Sequence, residues 1–274
     1  MRKLPLNPAA VYGIVKEIRS STDDELPLAV GGAPELVAVL RRELTSRGVS
    51  SAVREGSPEG SAAFVYVVAG AVDGEDEQAL KAASRARVPI VAVLTGPAAS
   101  SPPTIPYVPA GDVVVVQPGH GFPVEEIGRR IARVLGEKAT PLAARLPAIR
   151  RAVCDELIAR FSRQNGLIGA AVFVPGADMP ALTLNQVRLV LRIGDAYGFE
   201  LDRERVPELL GVVAGGLGFR ALARQALGVI PVAGWAVKGA IAFAGTRALG
   251  EAAIRYFEQR APVTRVEGDR ARFP

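Results

Sequence analysis

The sequence predicts two domains, an α/β domain built on a parallel sheet and then an all-α domain. Within residues 26–138, short apolar runs alternate with amphipathic segments. Strands that are buried on both faces and separated by helices give this pattern. Beyond residue 139 the strand pattern stops, and helical segments follow at residues 142–165, 181–197, 206–226 and 232–259. A chain of 274 residues is long enough for two such domains.

Five apolar runs are expected to form the strands of the first domain, at residues 26–30, 49–54, 63–69, 88–94 and 112–116. Helices are predicted between them at residues 35–47, 75–86 and 124–136, and before them at residues 9–20. The predicted organisation is an N-terminal helix and linker (1–25), the α/β domain (26–138), the helical domain (139–261) and a flexible tail (262–274).

The composition excludes several kinds of site. Cys154 is the only cysteine and His120 the only histidine. An intramolecular disulfide, a multi-cysteine zinc site and a catalytic histidine network are therefore excluded. We expect no metal and no cofactor, and we interpret Cys154 as a packed thiol.

The net charge of +5 is unevenly distributed. The first 138 residues hold 15 basic and 16 acidic side chains, so the surplus belongs to the second half. A basic, apolar half is compatible with an anionic lipid surface or with nucleic acid, although a solvated arginine surface explains it as well. Aromatic residues make up only 5% of the chain, which gives little support for base stacking, and we expect no nucleic-acid partner.

The first strand-to-helix turn lacks the groups that bind a triphosphate. It reads Gly31-Gly32-Ala33-Pro34-Glu35. A P-loop needs a lysine for the β/γ-phosphates and a hydroxyl for magnesium, and neither is present. Glu35 also places a negative charge where a helix N-terminus would otherwise attract phosphate. We therefore expect no nucleotide to bind.

The run from Ala63 to Leu94 resembles the second half of a small GTPase of the Era and Der type, because a buried strand leads through an acidic loop and a helix to another strand. In that family the second strand ends in Asn-Lys-x-Asp, whose carboxylate pairs with guanine. Here it ends in Thr95-Gly96-Pro97-Ala98. The resemblance implies a Rossmann-like sheet domain that is a degenerate P-loop GTPase.

The C-terminal half resembles the bacterial domain of unknown function 697 family over residues 150–260. The resemblance rests on spaced small and apolar positions in residues 182–198, 209–211, 230–235 and 246–250, followed by Tyr256-Phe257. That domain often follows an Era-like GTPase, so the resemblance implies a fold and a neighbouring domain but no chemistry.

Glycines and one histidine mark a candidate ligand site at the carboxyl end of the predicted sheet. The candidate residues are Gly31, Gly32, Thr95, Gly96 and His120. Ligands of α/β proteins collect at this edge. A surface turn is the alternative interpretation of His120. The acidic run at residues 73–77 lacks the spacing of a calcium loop, and the dipole of the following helix is a sufficient reason for it.

The apolar C-terminal region suggests contact with a partner or with lipid. Small residues recur at Gly211/Gly215 and at Ala236/Ala240/Ala244, a spacing that allows close helix packing. Basic residues interrupt these stretches too often for a bilayer crossing, which leaves a buried hairpin or an interfacial one. The candidate contact residues are Ile230, Pro231, Gly234, Trp235 and Lys238.

These patterns predict a protein that performs no covalent chemistry. We expect a non-catalytic pseudo-GTPase acting as a scaffold or regulatory protein on a protein partner or an anionic membrane surface, with a homo-oligomer as an open alternative. It is expected in the cytoplasm, with peripheral attachment to the inner face of the membrane also left open. The alternative is a small-ligand sensor or enzyme that uses the carboxyl edge of the sheet.

Overall fold

The computed structural model describes residues 8–23, 26–96, 104–117, 119–171, 179–201, 211 and 235–260. These residues form two compact units. The sheet unit holds residues 26–153, and the helical unit holds residues 8–23 together with the described residues from 154 to 260. The division falls inside one helix, between Val153 and Cys154. The predicted helix at residues 206–226 lies outside the described residues, apart from Gly211.

The sheet unit contains the predicted five-stranded parallel sheet. Its strands are β1 (Leu28–Gly32), β2 (Val53–Glu55), β3 (Ala63–Ala69), β4 (Ile90–Thr95) and β5 (Val113–Val115). Every neighbouring pair is parallel, and the order across the sheet is β2-β1-β3-β4-β5. This is one of the two common orders of doubly wound α/β folds, in which the chain turns back beside its first strand.

Eight α-helices lie in the described part of the chain. They are α1 (Pro8–Asp23), α2 (Pro34–Thr45), α3 (Gly74–Arg85), α4 (Val124–Leu135), α5 (Thr140–Arg145), α6 (Pro147–Ala171), α7 (Met179–Ala196) and α8 (Trp235–Glu258). The α/β pattern followed by helices is therefore confirmed. The helix predicted at residues 142–165 is two helices, because the chain leaves helical geometry at Leu146, before Pro147. Proline disfavours the helical conformation of the residue that precedes it.

The sheet is buried on both faces. On one face, Phe64, Tyr66 and Val68 of β3 pack with Leu80 and Ala83 of α3 in one apolar cluster. The alternate residues of the strands are also fully buried, among them Leu28, Val30, Val65, Val67, Val91 and Val93. Because successive side chains of a strand point to opposite faces, these residues form the second face. Burial on both faces explains the nearly continuous apolar runs in the sequence.

Glycine allows the long helices of the helical unit to pack closely. A Cβ atom built on Gly250 of α8 would lie 2.5 Å from Ile158 Cγ1 of α6, and one on Gly239 would lie 2.8 Å from the Gly166 carbonyl oxygen. A Cβ on Gly169 of α6 would lie 2.9 Å from the Ala242 Cβ. The contacts pair early residues of α6 with late residues of α8, so the two helices are antiparallel.

A buried polar network links three helices of the same unit. The Asn165 side-chain amide of α6 donates to the Thr246 hydroxyl of α8 (2.8 Å) and accepts from the Asn185 amide of α7 (2.9 Å). The Gln186 amide also donates to the Thr246 hydroxyl (3.4 Å), which itself donates to the Ala242 carbonyl (2.8 Å). Asn165 and Thr246 are fully buried. Buried polar groups of this kind fix one helix register, because a slipped register would leave them unpaired.

The N-terminal helix packs within the helical unit although the whole sheet unit separates it in sequence from the rest. Ile14, Val15 and Ile18 of α1 are buried. The Glu17 carboxylate accepts hydrogen bonds from the Arg188 guanidinium and, at 3.3 Å, from the Arg192 guanidinium of α7. The helical unit is therefore assembled from segments that precede and follow the sheet unit in the sequence.

Candidate ligand site at the carboxyl edge of the sheet

The candidate site lies in the sheet unit, at the ends of β4 and β5 beside α2. The described residues there line an open cleft of about 280 Å³. They comprise one side of α2, the end of β4 and the chain that leaves β5, namely Leu36, Val39, Glu43, Thr95, Gly96, Val116, Gln117, Gly119, His120, Gly121 and Phe122. Three of the five predicted ligand residues, Thr95, Gly96 and His120, are brought together here.

Hydrogen bonds to β3 position the end of β4. The Thr95 hydroxyl donates to the Val68 carbonyl (3.2 Å), and the Gly70 amide donates to the Thr95 carbonyl (3.1 Å). Gly96 then turns the chain with a φ of +90°, a conformation that side chains with a Cβ rarely adopt. The Thr95 hydroxyl is therefore fixed to the sheet, and the glycine lets the chain turn beside the cleft.

The other two predicted ligand residues, Gly31 and Gly32, do not line the cleft. A Cβ on Gly31 would lie 2.7 Å from the Phe64 ring, and one on Gly32 would lie 1.9 Å from the Val67 carbonyl oxygen. Gly32 also has a φ of +107°. Close packing against β3 is thus a sufficient reason for both glycines.

The amides of the turn after β1 are already used. The Ala33 amide donates to the Val67 carbonyl (3.3 Å), and the Leu36 and Val37 amides donate to the Ala33 carbonyl (3.1 and 2.9 Å). Pro34, the first residue of α2, has no amide hydrogen. The turn therefore offers few of the N–H donors with which a helix N-terminus binds an anion.

Glu43 is a lining residue that the sequence analysis missed. It lies on the last turn of α2, and its carboxylate lies beside Gly121, where a Cβ would be 3.7 Å from Oε1. Sequence spacing could not show this, because residues 43 and 121 are far apart along the chain. The signal that was available is its position, since an acidic residue at a helix C-terminus opposes the helix dipole.

The acidic run after β3 serves as a helix cap. The Asp73 carboxylate accepts hydrogen bonds from the Glu75 and Asp76 amides (both 2.9 Å), and the Asp76 carboxylate accepts from the Asp73 amide (3.1 Å). This is a reciprocal capping box at the start of α3. Across the part of the chain that the structure describes, no group of three His, Cys, Asp or Glu side chains is placed to hold a metal ion.

The same cap perturbs a buried tyrosine. The Tyr66 hydroxyl donates to Asp76 Oδ1 (2.9 Å). The pKa of Tyr66 is raised above its ordinary value, first because burial disfavours the phenolate and then because Asp76 accepts a hydrogen bond from the neutral hydroxyl. The negative charges of Asp76, Asp73 and Glu75 raise it further. Tyr66 is therefore a neutral structural donor.

The predicted partner-contact residues belong to the helical half. Ile230, Pro231 and Gly234 lie outside the described residues, and Trp235 is described only as the first residue of α8. The Lys238 carbonyl packs near Gly169 of α6, where a Cβ would lie 3.2 Å away. None of the described helices is long and apolar enough to cross a bilayer.

The alanine stripe on α8 does not make the close contacts with α6. Ala236, Ala240 and Ala244 are exposed, and the close contacts with α6 are made by Gly239, Ala242 and Gly250. An interval of four residues is shared by every face of a helix, so the spacing alone could not select the face. The interpretation of Cys154 as a packed thiol is confirmed, because its side chain is fully buried and its sulfur is not part of a disulfide.

Comparison with known families gives one result for the C-terminal half. A family described as Domain of unknown function (DUF697) matches residues 135–271, which is half of the chain. A search of the curated proteins found no match. The match agrees with the resemblance seen in the spacing of small and apolar residues. The chain therefore belongs to the DUF697 family.

Proposed function

We propose that this protein is a non-catalytic pseudo-GTPase that acts as a scaffold or regulatory protein. In this proposal the sheet unit derives from a GTPase of the Era and Der type and has lost nucleotide binding. The helical unit makes the functional contact, with a protein partner or with the anionic cytoplasmic surface of a membrane.

The closed turn after β1 carries the proposal. Gly32 packs against the Val67 carbonyl, and the Ala33, Leu36 and Val37 amides donate within the protein. Glu35 adds a negative charge to the first turn of α2. A phosphate placed there would meet a carboxylate and few donors, and it would have no P-loop lysine to neutralise it.

The structure around β4 supports the same proposal. Thr95 and Gly96 stand at the end of the strand where the resemblance places guanine recognition, and the following residues, Pro97 and Ala98, supply no carboxylate. Between the end of α2 at Thr45 and the start of β3 at Ala63, the one strand is the three-residue β2. This leaves little chain for a switch region.

Exposed apolar side chains support a contact role for the helical unit. Leu167 of α6 is 71% exposed and Val237 of α8 is 47% exposed. Exposed leucine and valine side chains near helix ends are suitable anchors for a partner or for a lipid interface. The basic surplus of the C-terminal half would add attraction to an anionic surface.

Nucleotide binding tests the first part of the proposal. We expect purified full-length protein to show no magnesium-dependent binding of GTP or ATP in equilibrium dialysis and no release of phosphate. Retention of either nucleotide at micromolar concentration, with turnover, would show that the sheet unit is an active enzyme.

Co-sedimentation with vesicles distinguishes the two possible targets of the helical unit, a membrane surface and a protein partner. If the membrane is the target, the full chain should pellet with vesicles that contain phosphatidylglycerol and less with neutral phosphatidylcholine vesicles. Leu167→Glu should reduce pelleting, whereas Leu26→Glu, a matched change at an exposed leucine of the sheet unit, should not. Equal behaviour with both vesicles at low and high salt would exclude the membrane and leave the protein partner.

A second candidate function is the binding of a small molecule in the cleft of the sheet unit. The cleft stands at the carboxyl ends of β4 and β5, and its described walls combine apolar side chains with a few polar groups. Ligand sites of α/β proteins share both properties. A saturable ligand would raise the melting temperature of the chain.

A further inference from the structure

The charge of the cleft limits the chemistry of a ligand. Glu43 is the one acidic side chain among the described lining residues. His120 is the other titratable side chain there, and no lysine or arginine accompanies them. Within the described chain, no ion pair or side-chain hydrogen bond involves the Glu43 carboxylate, although other carboxylates of the sheet unit are paired, as in Arg41–Glu55 and Arg133–Asp112.

The position of Glu43 strengthens its negative field. It lies on the last turn of α2, where the aligned peptide dipoles contribute about half a negative charge. An acidic side chain there is unfavourable for the isolated helix, and a cation beside it would relieve both the carboxylate and the dipole. An anionic ligand would meet repulsion from both.

The apolar residues of the lining favour a ligand with an apolar body. Leu36 and Val39 come from α2, Val116 follows β5, and Phe122 precedes α4. Gln117 and Thr95 add neutral polar side chains to the lining. A volume of about 280 Å³ lies at the lower end of the range of small-molecule pockets. The cleft is therefore large enough for one ring and a short polar arm.

From this charge complementarity we propose that the cleft binds a small organic cation, an amine carried on an apolar or aromatic body, with Glu43 as the anionic partner of the ammonium group. Leu36, Val39, Val116 and Phe122 contact the body of the ligand. This inference rests on the second candidate function and names the class of ligand for it. An ammonium–carboxylate pair supplies charge-assisted hydrogen bonds, which are stronger than neutral ones.

Three probes of similar shape and different charge test the proposal. Benzylamine, benzyl alcohol and benzoate are titrated separately into the full-length ¹⁵N-labelled chain, and the amide resonances of Gly96, Gly119 and Gly121 report occupation of the cleft. We expect benzylamine to bind with a dissociation constant in the millimolar range, about tenfold tighter than benzoate. Benzyl alcohol should fall between them.

Three variants test whether Glu43 supplies the negative charge and whether the probes bind in the cleft. Glu43→Gln keeps the shape of the side chain and should weaken benzylamine about tenfold while leaving benzyl alcohol unchanged. Glu35→Gln, on the same helix and outside the lining, should leave all three affinities unchanged. Val39→Trp should fill the cleft and weaken every probe. If that variant fails to fold, Glu43→Gln still decides the question, because it changes no volume.

The outcomes separate this inference from the function on which it rests. Unchanged benzylamine affinity in Glu43→Gln, or benzoate binding as tightly as benzylamine, would overturn the assignment to cations and leave a neutral ligand site standing. If none of the three probes shifts the cleft amides, both the cation and the small-ligand function are wrong. Neither result bears on nucleotide binding, which has its own test.

Discussion

The two units use glycine for different physical purposes. In the sheet unit, Gly32, Gly70 and Gly96 stand at the ends of strands with positive φ, so they supply backbone conformations that other residues rarely adopt. In the helical unit, Gly169 and Gly250 have ordinary helical geometry and supply short distances between helices. The sheet unit depends on glycine for turns, and the helical unit depends on it for packing. The same residue type therefore has different consequences when it is replaced.

The largest loss of stability is expected at a glycine that has both a positive φ and a close contact at its Cβ position. Gly32→Ala places a Cβ 1.9 Å from the Val67 carbonyl oxygen and forces alanine to adopt a φ of +107°. Because the neighbour is backbone, β1 or β3 must move, and we expect a loss of about 3 kcal/mol or more in the free energy of unfolding. Urea unfolding of the full chain measures the loss, and hydrogen exchange should localise it to β1 and β3.

Gly56→Ala is the control for the strain alone. Gly56 has a φ of +96°, close to that of Gly32, and nothing within 4 Å of a built Cβ. Its replacement should cost only about 1 kcal/mol, the strain of a left-handed residue. Equal losses in the two variants would show that the contact with Val67 contributes nothing.

The next largest effect concerns the buried polar network of the helical unit. Asn165→Leu removes the amide that bridges Asn185 and Thr246 and leaves buried groups unpaired, and we expect a loss of about 2 to 3 kcal/mol. In Thr246→Val the hydroxyl that accepts from Asn165 is lost. The double variant should cost less than the sum of the two single ones, because each removes the partner that the other leaves unpaired.

A double-mutant cycle, measured by urea unfolding of these variants, gives the coupling energy between Asn165 and Thr246. Additive losses would show that Asn165 and Thr246 do not interact. The sheet unit offers the contrast, because its capping bonds at Asp73 lie in an exposed loop and can be replaced by water. Hydrogen exchange in β3 should be unchanged by either variant.

Close packing of helices gives the third prediction. A Cβ in Gly250→Ala would lie 2.5 Å from Ile158 Cγ1, and we expect a loss of about 2 kcal/mol because side chains of α6 must shift. Gly13→Ala on α1 should change the free energy of unfolding in the opposite direction. Nothing lies within 4 Å of its built Cβ, so the alanine should stabilise the helix by up to about 1 kcal/mol. Thermal unfolding distinguishes the two, and a stabilising Gly250→Ala would contradict the packing seen here.

The two units also differ in how much of their structure can be predicted from the sequence. The strands were predictable, because burial on both faces leaves an apolar run that needs no partner to be recognised. The break between α5 and α6 was also signalled, by Pro147. The face of α8 that meets α6 was not predictable, since Ala236 and Gly239 are both small and only the neighbouring helix distinguishes them.

The candidate site was predictable in part for a similar reason. Thr95, Gly96 and His120 follow strands, and parallel strands bring their ends to one edge. Gly31 and Gly32 follow a strand too, but their space is taken by Phe64 and Val67. The sequence marks Glu43 as an acidic residue near a helix C-terminus but could not place it in the lining, because that depends on how α2 lies against the chain after β5.

The smallest effect at neutral pH concerns Tyr66, and it changes with pH. Tyr66→Phe removes the hydrogen bond to Asp76 and should cost about 1 kcal/mol at pH 8. Since the pKa of Tyr66 is raised in the folded chain, its contribution is fully present below the ordinary tyrosine pKa of about 10 and is lost as pH rises through the folded value. Above pH 10 the unfolded chain releases this proton and the folded chain keeps it. The free energy of unfolding of the unsubstituted chain should therefore fall more steeply with pH than that of Tyr66→Phe. Urea unfolding at pH 8 and pH 10.5 measures the two slopes.

Tyr107→Phe, at an exposed phenol, should change stability by less than about 0.5 kcal/mol at pH 8. Parallel slopes for Tyr66→Phe and the unsubstituted chain would mean that burial and the cap of α3 do not raise the pKa of Tyr66 in the folded chain.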